Sequence, residues 1–264
     1  MEIKSLDDLI FVGGAPRTGT TILQALICTS PSTNDYIAEC SYLTSMLLPY
    51  MQGLDTWDIH TKHYFRSRAD LLSYHSGIIS GVVDRIHDRL GRPPRLILKD
   101  PIMTKHFHYV AQMLPRARFV VIFRDPRDAI LSRLNVARRL QNGSKLSQSD
   151  IESACHEYNS SYSSIIENID ILFHRMMVVD YDAVVSGKNL TQLEAFVGSE
   201  IDPAKVWQSN QTQIEDYSSN PWSTDLYGAA LSPLSINRHE SELDPEAAAF
   251  IVEQCGWVRK AFDF

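Results

Sequence analysis

The stretch Leu-Ile-Phe-Val-Gly-Gly-Ala-Pro-Arg-Thr-Gly-Thr-Thr, residues 9 to 21, decides the fold. Leu9 to Val12 is a short apolar run that reads as a buried strand, Gly13 and Gly14 open a loop with a further glycine at Gly19, and the apolar spacing from Ile22 to Ile27 predicts a helix. That order is how a parallel α/β sheet presents backbone N–H groups to a phosphate at a helix N-terminus. Gly14, Gly19 and Thr21 hold the fixed positions of the nucleotide triphosphate loop, G-x-x-x-x-G-K-[ST], but Thr20 stands where that loop has its lysine. The cation that reaches the β- and γ-phosphates is missing, which argues against ATP or GTP hydrolysis. Arg17 is the cation left inside the loop.

About a hundred residues on, Arg118 to Asn135 repeats the pattern of an apolar strand meeting a helix. Phe119 to Phe123 is the strand, and Asp125 and Pro126 suit the cap and first position of the helix. This leaves Arg124 at the strand end and Ser132 two turns into the helix. Between the blocks, Arg95 to Lys99 reads as a further buried strand closed by Asp100-Pro101, so that Lys99 lies at the carboxyl edge of the sheet, where open α/β folds bind ligands.

These residues resemble the sulfotransferases that use 3′-phosphoadenosine 5′-phosphosulfate (PAPS). Pro16 to Thr21, Pro-Arg-Thr-Gly-Thr-Thr, is similar to their 5′-phosphosulfate loop, and Arg124, Asp125-Pro126-Arg127-Asp128 and Ser132 are similar to their 3′-phosphate signature. The resemblance implies that Gly14, Ala15, Pro16, Arg17, Thr18, Gly19, Thr20 and Thr21 cradle the 5′ end of the donor and that Arg124 and Ser132 hold its 3′-phosphate. It further implies that Lys99 stabilises charge on the leaving phosphate and that no metal is needed. Cytosolic hormone-type members carry a histidine two residues after that lysine; Lys99-Asp100-Pro101 has none. The likeness is therefore closer to the tyrosylprotein and heparan-type branch, in which a glutamate at about the distance of Glu39 is the general base. Asp100 is the weaker stand-in. Tyr181 resembles the tyrosine of a Tyr-Glu-Asp-Leu-like segment, and Leu231 to Leu243 is similar to the loop that closes over the donor, with Ser235 and Arg238 as its phosphate contacts.

The remaining chain supplies the scaffold. A net charge of −7 over 264 residues argues against a nucleic-acid partner. Cys28, Cys40, Cys155 and Cys255 lack C-x-x-C spacing, which fits a reducing, cytoplasmic setting with neither a zinc site nor a disulfide framework. The acidic N-terminal residues Glu2, Asp7 and Asp8 do not suggest a signal peptide, and no run of eighteen apolar residues suggests a membrane span. Asp35 to Glu39 is expected to be a short strand or its exit. Residues 42–90 are rich in Met, Tyr, Trp and His, with Leu71, Leu72, Ile78, Ile79, Val82, Val83 and Ile86 at helical spacing. This helical insertion is either a lid or acceptor pocket or simply a packed layer. Among its residues, His60 and His63 alone are weak metal ligands, and His106 and His108 beyond it are expected to be structural or solvent-facing. Ser149 to Glu152 reads as a capping box for a helix reaching toward Phe173, Arg175 to Asp180 as a strand, and the polar stretch around Gln211 and Ser218 to Pro221 as a mobile segment. Glu246 to Cys255 is the last helix.

The expected protein is thus a single three-layer α/β domain over residues 1–264, P-loop-like, with a mostly parallel sheet. It would move a sulfuryl group from PAPS to a hydroxyl or amine of a small-molecule or peptide acceptor and release PAP, the 3′,5′-bisphosphate. An ATP-dependent phosphotransferase and a nucleotide-binding module without catalysis are the alternatives.

Overall fold

The computed structural model describes residues 8–143, 147–188, 190–208, 222–224 and 226–262. Four strands, β1 (Leu9–Gly13), β2 (Leu96–Lys99), β3 (Arg118–Phe123) and β4 (Met176–Asp180), form one sheet in the order β2-β1-β3-β4, every pair parallel. Parallel strands need crossovers, and helices supply them. α1 (Thr20–Ile27), α2 (Ser41–Ser45), α3 (Leu48–Asp55) and α4 (Arg68–Arg89) lie between β1 and β2, and α5 (Phe107–Met113) between β2 and β3. α6 (Pro126–Leu140), α7 (Gln148–Glu167) and α8 (Ile169–Leu172) precede β4; α9 (Tyr181–Val185), α10 (Leu190–Val197), α11 (His239–Glu242), α12 (Pro245–Cys255) and α13 (Trp257–Ala261) follow it.

Apart from the charged residues at their ends, Lys99, Arg118 and Asp180, the strands are apolar because both faces are covered. Alternate residues point to opposite sides. Leu9, Phe11, Leu96, Leu98, Phe119, Val121 and Phe123 enter one core with α4, α5, α7 and α12, whereas Ile10, Val12, Ile97, Val120 and Ile122 enter the other with α1, α9 and α10. These are the three expected layers. The register sets Val12 beside Lys99 and Val120, and Phe123 beside Asp180, so the carboxyl ends of all four strands open on one side.

Three expectations change. Asp35 to Glu39 forms no strand; just before it Thr33 bridges to Arg95, and just after it Cys40 N–H donates to the Lys99 carbonyl at 2.9 Å. The capping box of α7 sits two residues earlier than expected, with Ser147 as cap and Asp150 returning the bond, because Asp does the work assigned to Glu152. α7 then stops at Glu167, short of Phe173. The polar stretch at Gln211 and Ser218 to Pro221 lies outside the described residues.

Residues 41–89 form a helical layer against the first core. Leu43, Leu47, Tyr50, Leu71, Ile79 and Val83 are buried, and Tyr50 packs on His75 and Tyr109 with ring centroids 5.5 Å apart in each pair. Among the described residues no helix is long and apolar enough to cross a membrane.

Candidate active site

A cavity of about 720 Å³ opens at the carboxyl ends of the strands. Its floor is the loop after β1. Gly14 (φ +143°) turns the chain where a side chain would strike the Ile122 carbonyl, and Gly19 (φ +101°) caps α1 in a left-handed conformation where a side chain would enter the Tyr181 ring. The Thr18 hydroxyl donates to the Ala15 carbonyl at 2.7 Å and so braces the loop. Pro16, Arg17, Gly19, Thr20 and Thr21 line the cavity; Gly14, Ala15 and Thr18 do not. Two tyrosines of α7 brace this end of the sheet, and Tyr162 ties the loop to β3. Tyr162 OH donates to the Ile122 carbonyl at 2.8 Å and accepts from Ala15 N–H at 3.4 Å, and Tyr158 OH donates to the Arg124 carbonyl at 2.8 Å.

At one end of the cavity Arg124 is 7% exposed. It donates to the Arg17 carbonyl at 3.1 Å and to the Ser235 carbonyl at 2.6 Å, and its guanidinium stacks 4.4 Å from the centre of the Tyr181 ring. Arg124 Nε is buried without a partner among the described residues. A buried cation with an unmatched donor suits an anion, because an orphaned charged N–H costs more than a neutral one. Arg17 Nε donates to Ser132 Oγ at 3.2 Å, so the two sequence blocks touch through side chains 115 residues apart. The other Arg17 branch donates to the Trp222 carbonyl at 2.6 Å, and burial lowers the Arg17 pKa. Tyr181 OH and Ser235 Oγ share a hydrogen bond of 2.5 Å. Arg238 lines the cavity, but its fork is held by Glu242 at 2.8 and 3.0 Å.

At the other end Lys99, 2% exposed, donates to Glu39 Oε1 at 2.9 Å and to Thr21 Oγ1 at 3.2 Å. The Glu39 side chain is 41% exposed, so one carboxylate reaches both the buried lysine and solvent. Asp100 is turned away: it accepts from the Thr44 hydroxyl at 2.5 Å and Ile102 N–H at 2.9 Å, and burial raises its pKa. It caps a 3₁₀ turn and does not line the cavity. Neither His106 nor His108 lines it.

Sequence reasoning missed three groups. Asp128 Oδ1 accepts from His239 N–H and lies 2.9 Å from His239 Nδ1, while Oδ2 accepts from Asn237 N–H at 2.7 Å, so this buried carboxylate fixes the loop carrying Ser235 and Arg238. The last Asp of Asp-Pro-Arg-Asp was in view; its distant partner was not. Trp222 lines the cavity, and its segment is held by Arg17, which donates to the Trp222 carbonyl, and by Arg139, which donates to the Ser223 carbonyl at 3.1 Å. Tyr36, Trp207 and Tyr227 make an aromatic wall, with Trp207 edge-on to both others at 5.3 and 5.8 Å. Residues 42–90 contribute nothing to the lining of this cavity. Among the described residues no three His, Cys, Asp or Glu side chains are grouped to hold a metal ion.

A family model described as "Sulfotransferase family" matches residues 8–203. The protein-tyrosine sulfotransferase of Drosophila melanogaster is 27% identical over 187 residues, which are 67% of this chain and 35% of the relative. The human protein-tyrosine sulfotransferase 1 is 27% identical over 136 residues, 48% of this chain and 34% of the relative. The chain spans about a third of the length of these curated relatives. Among solved structures, the sulfotransferase domain from the curacin biosynthetic pathway superposes with a TM-score of 0.63 at 13% identity, covering 94% of this chain and 97% of the other. The sulfotransferase domain from the Synechococcus PCC 7002 olefin synthase gives 0.59 at 15% identity, covering 96% of each. At those identities the likeness is one of fold.

Proposed function

The chain belongs to the sulfotransferase family, and from that premise we propose that it transfers a sulfuryl group from PAPS to an acceptor hydroxyl. The observation that carries this reading is the contact of Lys99 with both Glu39 and Thr21 at one end of a cavity whose other end holds Arg124. A bisphosphorylated nucleotide needs an anion seat at each end. Arg124 with Ser132, Tyr181 and Ser235 suits the 3′-phosphate, and the loop with Arg17, Thr21 and Lys99 suits the 5′ end.

In the reaction the acceptor oxygen attacks sulfur in line, its proton passes to Glu39, and the bond between sulfur and the bridging phosphate oxygen breaks. Lys99 faces the charge that grows on that oxygen, where a fixed buried cation is worth several kcal/mol. Lys99 and Glu39 are paired before the acceptor arrives, which aims the carboxylate at the same point as the cation. The relatives act on tyrosine in proteins by their names, and the wall of Tyr36, Trp207 and Tyr227 suits an aromatic acceptor. We therefore place a phenolic hydroxyl, on a small molecule or a peptide, first among acceptors.

Two measurements test the proposal. PAP should raise the melting temperature strongly and ATP much less, since ATP lacks the 3′-phosphate that Arg124 would hold; equal shifts would remove the donor assignment. Glu39→Gln should keep PAP binding and lose transfer from labelled PAPS to a tyrosine-containing peptide or simple phenol, whereas unchanged transfer would remove Glu39 as the base.

A further inference from the structure

Thr21 ends the phosphate loop, and its hydroxyl is where three distant parts of the chain meet. Lys99 Nζ donates to Thr21 Oγ1 at 3.2 Å, and the Tyr227 phenol donates to the same oxygen at 3.1 Å from 206 residues away. A threonine hydroxyl has one proton and two lone pairs. With both lone pairs taken by donors, the proton is all it has left to offer. A ligand that meets Thr21 in the cavity must then accept a hydrogen bond, as a phosphate or sulfuryl oxygen does. Without its two donors the hydroxyl could rotate and turn a lone pair toward the ligand, which would repel an anion.

Lys99 already has a role in the transfer; Tyr227 has none. We propose that Tyr227 is a positioning residue for the donor, acting through Thr21 to fix that hydroxyl as a hydrogen-bond donor to the 5′ end of the nucleotide. This rests on the sulfuryl-transfer reading and adds to it a residue that lies beyond the family match, which ends at 203. The phenol is held for this task by its ring. Trp207 packs edge-on against it at 5.8 Å and is backed by Tyr36 at 5.3 Å, so replacing Tyr227 with Phe removes the hydroxyl and leaves the aromatic wall. Donation from the phenol also polarises the Thr21 O–H, which strengthens the bond it gives onward.

A double-mutant cycle read by calorimetry on the full chain tests this. Tyr227→Phe should weaken PAP binding about three- to tenfold, the range of one hydrogen bond. It should leave binding of 3′-AMP, which has no 5′-phosphate, unchanged. Thr21→Ser, which keeps the hydroxyl, should stay near wild type. In a Thr21→Val background, adding Tyr227→Phe should cost nothing more. Equal losses for PAP and 3′-AMP, or full additivity with Thr21→Val, would make Tyr227 a mere tether of its own segment and overturn the assignment. If the wild type binds neither nucleotide, the donor reading falls and takes this role with it; if it binds PAP and the cycle is additive, only Tyr227 is reassigned.

Discussion

The cavity at the strand ends and the helical layer of residues 41–89 are built from much the same residue types, and they bury opposite things. In the helical layer the apolar groups go inside and the charges stay out: Leu71 and Ile79 are 1% exposed, while Arg92 pairs with Asp84 and Asp88 on the surface. Its aromatic and histidine side chains meet one another, as Tyr50 meets His75, and Tyr42, Tyr64 and Tyr74 project into solvent. In the cavity the cations go inside. Lys99 and Arg124 are nearly buried, one against a single carboxylate and the other with an unmatched Nε. Burying charge is costly unless something pairs it. The comparison teaches that the Tyr-, Trp-, His- and Met-rich layer packs on itself, whereas the buried and under-matched cations lie at the sheet edge and line the cavity.

Four changes would break or sharpen that contrast. The largest effect is expected from Lys99→Ala, which should lower the single-turnover rate of transfer from PAPS about a hundred- to a thousandfold, the usual loss when one fixed donor is removed from a developing anion. A rate within a fewfold of wild type would put the chemistry elsewhere. Leu71→Ala, in the helical layer, should cost about 3 kcal/mol in urea unfolding with the PAP dissociation constant unchanged below the transition; a matching loss of PAP affinity would join the two regions.

Acid should act on the scaffold as well. Burial, with Lys105 and His108 adding, pushes the His106 pKa down from 6.5 to about 4, and burial alone lowers His108 and His75. The unfolded chain therefore binds more protons than the folded one between about pH 4 and 6.5, so stability falls as pH drops through that window. The ligand-free melting temperature should decline from pH 6.5 to 5, and less steeply for His106→Gln. An identical slope would show that His106 is not the group being forced to charge. The smallest effect belongs to Tyr42, Tyr64 and Tyr74 changed together to Ser, which should alter stability by no more than about 0.5 kcal/mol each and leave KM for a peptide acceptor unchanged. A raised KM would return residues 42–90 to the acceptor site.

Much of the geometry of the two strand ends, where we propose the donor sits, was legible because its signals are local. Glycines at positive φ, an Asp-Pro pair opening a helix and unbroken apolar strands state their geometry within a few residues of themselves. The block from Arg118 to Asn135 and the loop from Gly14 to Thr21 took the forms expected of them. Glu39 was singled out only by analogy, since the chain around it forms no regular element and carries no periodicity. The cap of α7 was misplaced by two residues because Ser147 with Asp150 and Ser149 with Glu152 offer the same local chemistry.

From its sequence alone this protein was committed to a parallel α/β sheet with a glycine loop and an arginine at two strand ends, since those follow from short-range sterics and burial. Which distant groups face one another was decided by the fold. Asp128 with His239, Tyr162 with Ile122, and Tyr227 with Thr21 each join positions at least 40 residues apart. No local pattern encodes such meetings, because they exist only once two cores have closed on the same sheet and brought its four carboxyl ends to one side.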